Sequence, residues 1–405
     1  MEHSASLKRV LTLPLVIFYG LGNILGAGIY VLIGKVAGYS SYYSPLAFLL
    51  ASLVAALSAL TYAELSSRYP ESAGEAVYLQ NAFNLPPLSL FIGLLIVFAG
   101  CISSGAIAHG FAGYLRVFWD IPTSLILAIL IAILGTIACW GIRISVGIAT
   151  LITVIEIIGL LIIIAVTSPD LSTISDKIQA VPPLNIRAVQ GIFLGAFLAF
   201  YAYIGFEDMV NISEEVKDAS RTMPIAILIA LISATLLYSL VTFMCILSVS
   251  PETLSDSDAP LALVYEAATD RKPVLITLIS LFAVINGALI QIIMASRILY
   301  GSSRHGWLPV LLGQVNAVTR TPVNATIFCA ASVLAFALWL PVETLARITS
   351  YLILIIFTLV NISLVVIKLR KTPAEGIFTV PLWIPVAGTL ISAAFVVIQI
   401  VISFA

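Results

Sequence analysis

Charged side chains are scarce in this sequence. Of its 405 residues only 10% are Asp, Glu, Lys or Arg, whereas 61% are hydrophobic, and the mean hydropathy is +1.13. A soluble domain usually carries about a quarter charged residues, so lipid rather than water is the expected solvent. The formal net charge is −1, which leaves no electrostatic basis for binding nucleic acid.

Histidine, paired cysteine and nucleotide-binding loops are also rare or missing. The three histidines do not pair, and the four cysteines are isolated in apolar runs with no CxxC, as expected of thiols packed as small hydrophobes. No GxxxxGK[ST] loop occurs, and the apolar runs lack a continuous polar stripe. These absences argue against a metal site, a bound cofactor, a membrane enzyme, an ATP-driven pump and a channel.

Long apolar runs dominate what is present. A spanning helix needs about 20 mostly apolar residues, because its backbone polar groups must be satisfied inside the hydrocarbon. The first run follows no small-residue cleavage site, so we expect it to be retained. Turn and charge signals divide the chain into eleven predicted spans: 12–36, 45–65, 86–115, 122–141, 145–167, 188–213, 224–248, 273–300, 322–340, 344–367 and 381–404.

The distribution of Lys and Arg predicts the orientation. If the N-terminus is cytoplasmic, the inner segments hold twelve of these residues and the outer segments hold seven. Cytoplasmic loops carry an excess of positive charge. We therefore expect a multi-pass protein of the cell membrane with its N-terminus inside and its C-terminus outside.

The first span carries an unusual density of glycine. Gly20, Gly22, Gly26 and Gly28 fall within nine positions of its middle, and each Gly costs roughly 1 kcal/mol in a helix interior relative to Ala. This pattern predicts a broken helix whose backbone is open to a neighbour. The alternative is close helix–helix packing, for which Gly22 and Gly26 have the right spacing.

The sixth span carries a glycine followed at once by two carboxylates, Gly205-Phe206-Glu207-Asp208. Acids within a membrane are costly and usually face a cavity or a partner, which favours a second broken helix. The alternative is that the helix ends at Gly205 and the acids lie at the interface.

The two interruptions occupy corresponding places in the chain, each opening a group of five spans. This layout is typical of inverted-repeat transporters. It predicts a first repeat over 1–168, a second over 188–368 and an additional span over 381–405. A broken helix exposes N–H groups that attract a carboxylate and C=O groups that accept from an ammonium, so paired breaks suit an amino acid.

Four motifs in register carry a family resemblance. They are Gly22–Tyr30, Ala63–Glu75, Tyr201–Ile225 and Ala295–Pro309. Together they resemble the amino acid–polyamine–organocation transporters. The resemblance implies a LeuT-like fold, all α-helical and integral to the membrane, with spans 1 and 6 discontinuous, and secondary transport or exchange. Many members have twelve spans, whereas this sequence yields eleven.

The resemblance also implies a substrate site. The substrate carboxylate would meet the backbone of the first break, its amine would meet carbonyls of the second, and Tyr203 or Phe206 would close over it. The predicted substrate-binding residues are Asn23, Ile24, Gly26, Ala27, Gly28, Tyr201, Ala202, Tyr203, Ile204 and Phe206.

Glu156 is the only charge between Arg143 and Asp170 and lies near mid-bilayer. Some proton-coupled relatives carry a Lys at this place, so a Lys mechanism does not transfer. We expect Glu156, with Glu207, to couple transport to protons; the alternative for Glu156 is a permanently hydrogen-bonded structural carboxyl. Sodium is less expected, because the eighth span offers Asn286 and Gln291 but no hydroxyl between Leu281 and Met294.

The sequence thus predicts an amino acid permease working by proton symport or exchange. The alternatives are a transporter of polyamines or other organic amines, and a transport-incompetent amino acid sensor on the same fold. The expected partners are a small-molecule amino acid, a co-transported proton and the lipid bilayer.

Overall fold

The protein is almost entirely α-helical. The computed structural model describes residues 9, 11–71, 74–139, 146–168, 181, 183–304, 308–316, 319, 321–370 and 376–404. No β-strand occurs in these ranges apart from a single bridge between Leu11 and Val216. Motif residues 72–73 and 305–307, and the basic residues Lys8, Arg143, Lys177, Arg320 and Lys371 used to predict orientation, lie outside the described residues.

Fourteen α-helices fall within the described residues. They are α1 Leu13–Ser40, α2 Ser44–Arg68, α3 Gly74–Phe83, α4 Pro86–Leu115, α5 Thr123–Cys139, α6 Val146–Thr167, α7 Ile186–Phe200, α8 Ala219–Ser248, α9 Pro251–Asp256, α10 Pro260–Thr269, α11 Val274–Arg304, α12 Val323–Trp339, α13 Val342–Leu369 and α14 Trp383–Phe404. Short 3₁₀ segments cover Ser41–Tyr43, Tyr201–Tyr203, Glu207–Glu215 and Val310–Gly313.

Ten of the eleven predicted spans each correspond to one of these helices, and the sixth, 188–213, covers α7 and the two 3₁₀ segments that follow it. Among the described residues, eight stretches are long and apolar enough to cross a membrane; one of them, Leu13–Arg68, contains both α1 and α2. Two shorter apolar helices, α5 and α12, complete the set. The predicted all-α membrane fold is confirmed.

The seventh span begins earlier than predicted. We expected it to start at Pro224, but α8 begins at Ala219, and Pro224 lies inside it. Proline cannot donate to the carbonyl four residues before it, which is that of Ser220. The Ser67 hydroxyl donates to this carbonyl instead, at 2.6 Å, so a neighbouring span supplies the missing hydrogen bond.

Three short helices were not predicted. The helix α3 follows the second span, and α9 and α10 lie between the seventh and eighth. They are too short to show a spanning signal. Of the three, α3 packs against α4 and α13, and it also approaches the sixth span, since a Cβ at Gly74 would lie 2.3 Å from Val210.

The outer surface of the bundle is apolar, while a buried carboxylate inside it is paired with two basic side chains. Large side chains such as Leu53, Leu151 and Leu390 are more than half exposed, as expected of lipid-facing positions. Inside, Glu64 on α2 forms ion pairs of 2.7 Å with both Arg68 and Lys368. The carboxylate therefore joins α2 to α13 and satisfies charges that would otherwise be costly to bury.

The first and sixth spans meet at one end of the bundle. The Leu11 N–H donates to the Glu215 carbonyl at 3.0 Å, and the Lys217 N–H donates to the Leu11 carbonyl at 2.9 Å. The chain entering α1 is therefore tied to the chain leaving the sixth span, on the same side of the bundle.

Candidate functional site

The first span is interrupted at Gly26. This residue has φ −22° and ψ −106° within α1, far from helical values. The first N–H groups of a helix have no acceptor within it, so the half of α1 that follows Gly26 presents amide donors in the middle of the bundle. The predicted break is confirmed, with its centre at one of the four glycines.

The sixth span is interrupted between two helical pieces. The helix α7 continues as the 3₁₀ turn Tyr201–Tyr203, Ile204 is extended with ψ 135°, and Gly205 has φ +130°. Side-chain-bearing residues rarely adopt such a φ. A second 3₁₀ segment, Glu207–Glu215, follows, so the span does not end at Gly205 and the interfacial alternative is wrong.

The two interruptions touch each other. A Cβ placed on Gly205 would lie 2.7 Å from the backbone carbon and oxygen of Asn23, and one placed on Gly28 would lie 2.4 Å from Cα of Ala202. Both distances are below van der Waals contact. Glycine is therefore required at these two positions for the unwound backbones to pack together.

One side chain bridges the two unwound segments. The Tyr238 hydroxyl of α8 lies 2.6 Å from the carbonyl oxygen of Ile24 and 2.9 Å from that of Ala202. A hydroxyl has a single hydrogen, so the two buried carbonyls share one donor. Tyr238 is wholly buried, and it holds the breaks in register.

A cavity opens where the breaks meet. Its lining comes from α1, α4, the sixth span and α11: Asn23, Ile24, Gly26, Gly28, Ser103, Ile107, Tyr201, Ile204, Asp208, Gly287, Ile290 and Gln291. The space open to the centres of water molecules is about 30 Å³, room for about two waters. In this conformation the cavity is small.

The polar side chains of the cavity come from four elements, α1, α4, the sixth span and α11. The Gln291 amide donates to Asp208 Oδ2 at 3.3 Å, and the hydroxyls of Tyr201 and Ser103 lie 2.9 Å apart. The amide nitrogen of Asn23 is buried without a hydrogen-bond partner. Among the described residues that line the cavity, Asp208 is the only acidic one, so this lining combines one carboxylate with an unused amide donor.

Glu156 lies on α6 beside both halves of α1. The hydroxyl of Thr153, one turn earlier, donates to the Phe18 carbonyl at 3.0 Å, and the hydroxyl of Tyr30 donates to the Glu156 backbone carbonyl at 2.6 Å. The Glu156 side chain is 0% exposed, and neither carboxyl oxygen has a hydrogen-bond partner among the described residues. The described residues therefore provide no permanent hydrogen bond to this carboxyl.

Glu207 has a different environment. Its Oε2 accepts from the backbone N–H of Gly205 at 2.8 Å, and the residue does not line the cavity. The carboxyl group thus satisfies a backbone donor that the break leaves free.

The predicted substrate residues fall into two groups. Asn23, Ile24, Gly26, Gly28, Tyr201 and Ile204 line the cavity. Ala202, Tyr203 and Phe206 are buried behind it, with Phe206 packed edge-on against Tyr62. The backbone of Ala27 lies in α1.

Other functional residues carried weak sequence signals. Ser103, Ile107, Gly287, Ile290 and Gln291 complete the cavity, and of these only Gln291 is distinctive, as a polar residue in an apolar span. Tyr238 stood out in no pattern. Among the described residues, no group of three or more His, Cys, Asp or Glu side chains is arranged to hold a metal ion.

Comparison with known proteins identifies a permease family and several similar transporters. A family model described as "Amino acid permease" matches residues 11–405. The chain is 30% identical over 396 residues to "Cationic amino acid transporter 3, mitochondrial" of Arabidopsis thaliana, covering 92% of this chain and 64% of that protein.

Two Bacillus subtilis (strain 168) proteins are also similar. "Branched-chain amino acid permease BcaP" is 25% identical over 401 residues, covering 93% of this chain and 84% of that protein. "Methylthioribose transporter" is 27% identical over 408 residues, covering 95% and 86%. The chain thus spans most of these bacterial relatives but less than two thirds of the plant transporter.

Proposed function

The chain belongs to the amino acid permease family, and from this premise we propose that it is a secondary transporter that carries amino acids across a membrane together with protons. The observation that carries the proposal is the cavity where the two helix interruptions meet. Amino acid permeases transport solutes and do not catalyse their chemical conversion. The cavity lies among four elements that span the membrane in this proposal.

The two ends of an amino acid match the two halves of the cavity. Its carboxylate binds the amide donors that follow Gly26, as anions do at helix N-termini, and the unused amide of Asn23 adds a donor. Its ammonium binds carbonyls of the Tyr201–Ile204 turn. Ala27, Ala202, Tyr203 and Phe206 contribute backbone or close over the substrate.

Because the cavity is small, the transport cycle requires a change of conformation before substrate can bind. Room for about two waters is less than a whole amino acid requires, so the first and sixth spans must move apart for the substrate to enter. Discontinuous helices suit this movement, because each half can tilt while the other stays packed.

Asp208 determines which substrate side chain the cavity prefers. It is the only acidic lining residue and has no ion-pair partner among the described residues, so a cationic substrate group completes it. One similar plant protein is called a cationic amino acid transporter, in agreement with this preference. An organic amine such as a polyamine is the alternative substrate.

Glu156 is the proton-coupling residue of the proposal. An unpaired buried charge costs several kcal/mol, so the carboxyl carries a proton in this conformation. When the halves of α1 separate, water reaches the carboxyl and the proton leaves. Glu207, which accepts a hydrogen bond from the Gly205 N–H, links the second break to the same transport cycle. The proposal does not include a sodium ion.

The arrangement of the chain follows from the same proposal. Residues 1–168 and 188–368 form two inverted repeats of five spans, and 381–405 adds an eleventh. The N-terminus faces the cytoplasm of a cell whose membrane the chain crosses repeatedly. Cysteine accessibility from each side tests this orientation.

Uptake into proteoliposomes tests the function. With the outside more acidic, labelled lysine and arginine are expected to accumulate, a protonophore to abolish accumulation, and replacement of sodium by potassium to change nothing. Accumulation that requires sodium contradicts the proposal. Amino acid binding without counterflow identifies a sensor instead.

The Asp208→Asn variant tests the substrate class. A hydrogen bond to a charged group is worth about 1.5–3 kcal/mol, so uptake of lysine relative to leucine is expected to fall by about tenfold or more. Asp218→Asn is the matched control, because Asp218 is exposed and outside the cavity. An unchanged lysine-to-leucine ratio contradicts the assignment.

A further inference from the structure

Another buried carboxyl, that of Glu75, lies outside the cavity and outside the predicted spans. Glu75 is in the first turn of α3 and is 5% exposed. The preceding Gly74 is in close contact with Val210, which belongs to the 3₁₀ segment Glu207–Glu215. The start of α3 is therefore packed against the sixth span.

The aromatic side chain of Tyr62 connects Glu75 to the break in the sixth span. The Tyr62 hydroxyl donates to Glu75 Oε1 at 3.2 Å. The Tyr62 ring stands edge-on to Phe206, with ring centroids 5.7 Å apart and planes at 88°. Phe206 immediately follows Gly205, so the Tyr62 and Phe206 rings link the Glu75 carboxyl to the second break.

The charges around Glu75 are all acidic or phenolic. On α2 the facing group is Tyr62, on α3 it is Tyr78, and on the sixth span they are Glu207 and Asp208. Glu75 has no ion pair within the described part of the chain. The Tyr78 hydroxyl is buried without a hydrogen-bond partner, so nothing in this cluster offsets a negative charge except the Tyr62 hydroxyl and the start of α3.

Burial raises the pKa of Glu75 to about 7, although its own backbone N–H and the Tyr62 hydroxyl act in the opposite direction. The carboxyl therefore changes charge at the pH values between which a cellular proton gradient operates. Burial of Glu75 in the packed arrangement favours the protonated carboxyl, and hydration of α3 would favour release of the proton.

We propose that Glu75 is a second proton-binding site of the transport cycle, which positions Phe206 through Tyr62. The inference rests on the proposed function, since it assigns a proton to the same cycle at a different place. With the proton bound, α3 packs against the sixth span and Phe206 stays over the break. With the proton lost, repulsion from Glu207 and Asp208 draws water to α3 and releases Tyr62 and Phe206.

Counterflow at equal pH on both sides tests the positioning role. Labelled lysine exchange is measured at several values from about pH 5.5 to pH 8.5, over which a single proton changes a population by at most about tenfold per unit. The wild-type rate is expected to change around pH 7. Glu75→Gln is expected to hold the acidic-pH rate throughout, and Glu75→Asp to restore a pH-dependent profile.

Glu71→Gln is the matched control, because Glu71 is an exposed acid four residues earlier, and it is expected to behave as wild type. A Glu75→Gln profile that follows the wild type overturns the inference and leaves amino acid transport standing. Failure of the wild type to exchange any amino acid overturns the proposed function and this inference together.

Thermal unfolding in detergent supplies an independent readout. Because folding raises the pKa of Glu75 from 4.5 to about 7, the stabilisation from its bound proton is complete below pH 4.5 and is lost as pH rises through 7. The melting temperature of the wild type relative to Glu75→Gln is therefore expected to fall across this window. A constant difference between the two contradicts protonation at this site.

Discussion

A Glu156→Gln transporter is expected to lose accumulation of substrate against its gradient while keeping exchange. Glutamine has nearly the same shape as a protonated glutamate, so it fills the same fully buried place beside the two halves of α1. It cannot release a proton. The variant should therefore complete the movements of the cycle without drawing energy from a pH gradient.

The size of this effect follows from thermodynamics. One pH unit is worth about 1.36 kcal/mol per proton, so a single coupled proton supports about tenfold accumulation. Wild-type proteoliposomes with one unit of gradient should approach this ratio, and Glu156→Gln should stay near equality inside and outside. Glu266→Gln, at an exposed acid of α10, is the control that should match wild type.

Retention of tenfold accumulation by Glu156→Gln would show that the proton travels elsewhere. Loss of both accumulation and counterflow would show instead that the carboxyl is needed for the fold or the movement. Only a variant that loses accumulation and keeps counterflow agrees with the role proposed for Glu156.

The Gly205→Ala variant is expected to abolish substrate binding. Its φ of +130° costs about 1–3 kcal/mol for a residue with a side chain, and the added methyl would lie 2.7 Å from the Asn23 backbone. The second break must then shift away from the first. We expect the rise in melting temperature caused by substrate to disappear and counterflow to fall by at least about tenfold.

Substitutions at two other glycines distinguish the effect of backbone strain from the effect of contact between the breaks. Gly376 also has a positive φ, +74°, but a methyl group added there would have no atom within 4 Å, and Gly301 has open space around it within α11. Gly376→Ala should destabilise the protein without changing binding, and Gly301→Ala should be neutral or slightly stabilising. Normal substrate binding by Gly205→Ala would contradict the requirement for touching breaks.

The architecture was largely predictable because a bilayer imposes a simple rule on length and polarity. Each apolar run became a helix, and the early start of α8 at Ala219 escaped prediction because Ser67, distant in sequence, compensates for Pro224. The breaks were also predictable, because four glycines weaken the helix of the first span, and two acids directly after a glycine are costly within the sixth.

The contacts that assemble the site were less predictable. Tyr238 looks like any aromatic residue of an apolar helix, yet its hydroxyl reaches the carbonyls of both Ile24 and Ala202. Asp208 and Glu207 are adjacent in sequence, and only the geometry of the 3₁₀ turn sends the first to the cavity and the second to Gly205. Such roles depend on the direction of a side chain, which residue type and spacing do not determine.

A structure determined with a bound amino acid tests the central claim most directly. The account predicts ligand density between the two unwound segments, with the carboxylate at the amides after Gly26, the ammonium at the Tyr201–Ile204 carbonyls and the side chain toward Asp208. Density for the substrate at any other place, with the space between Gly26 and Ile204 still closed, would contradict it.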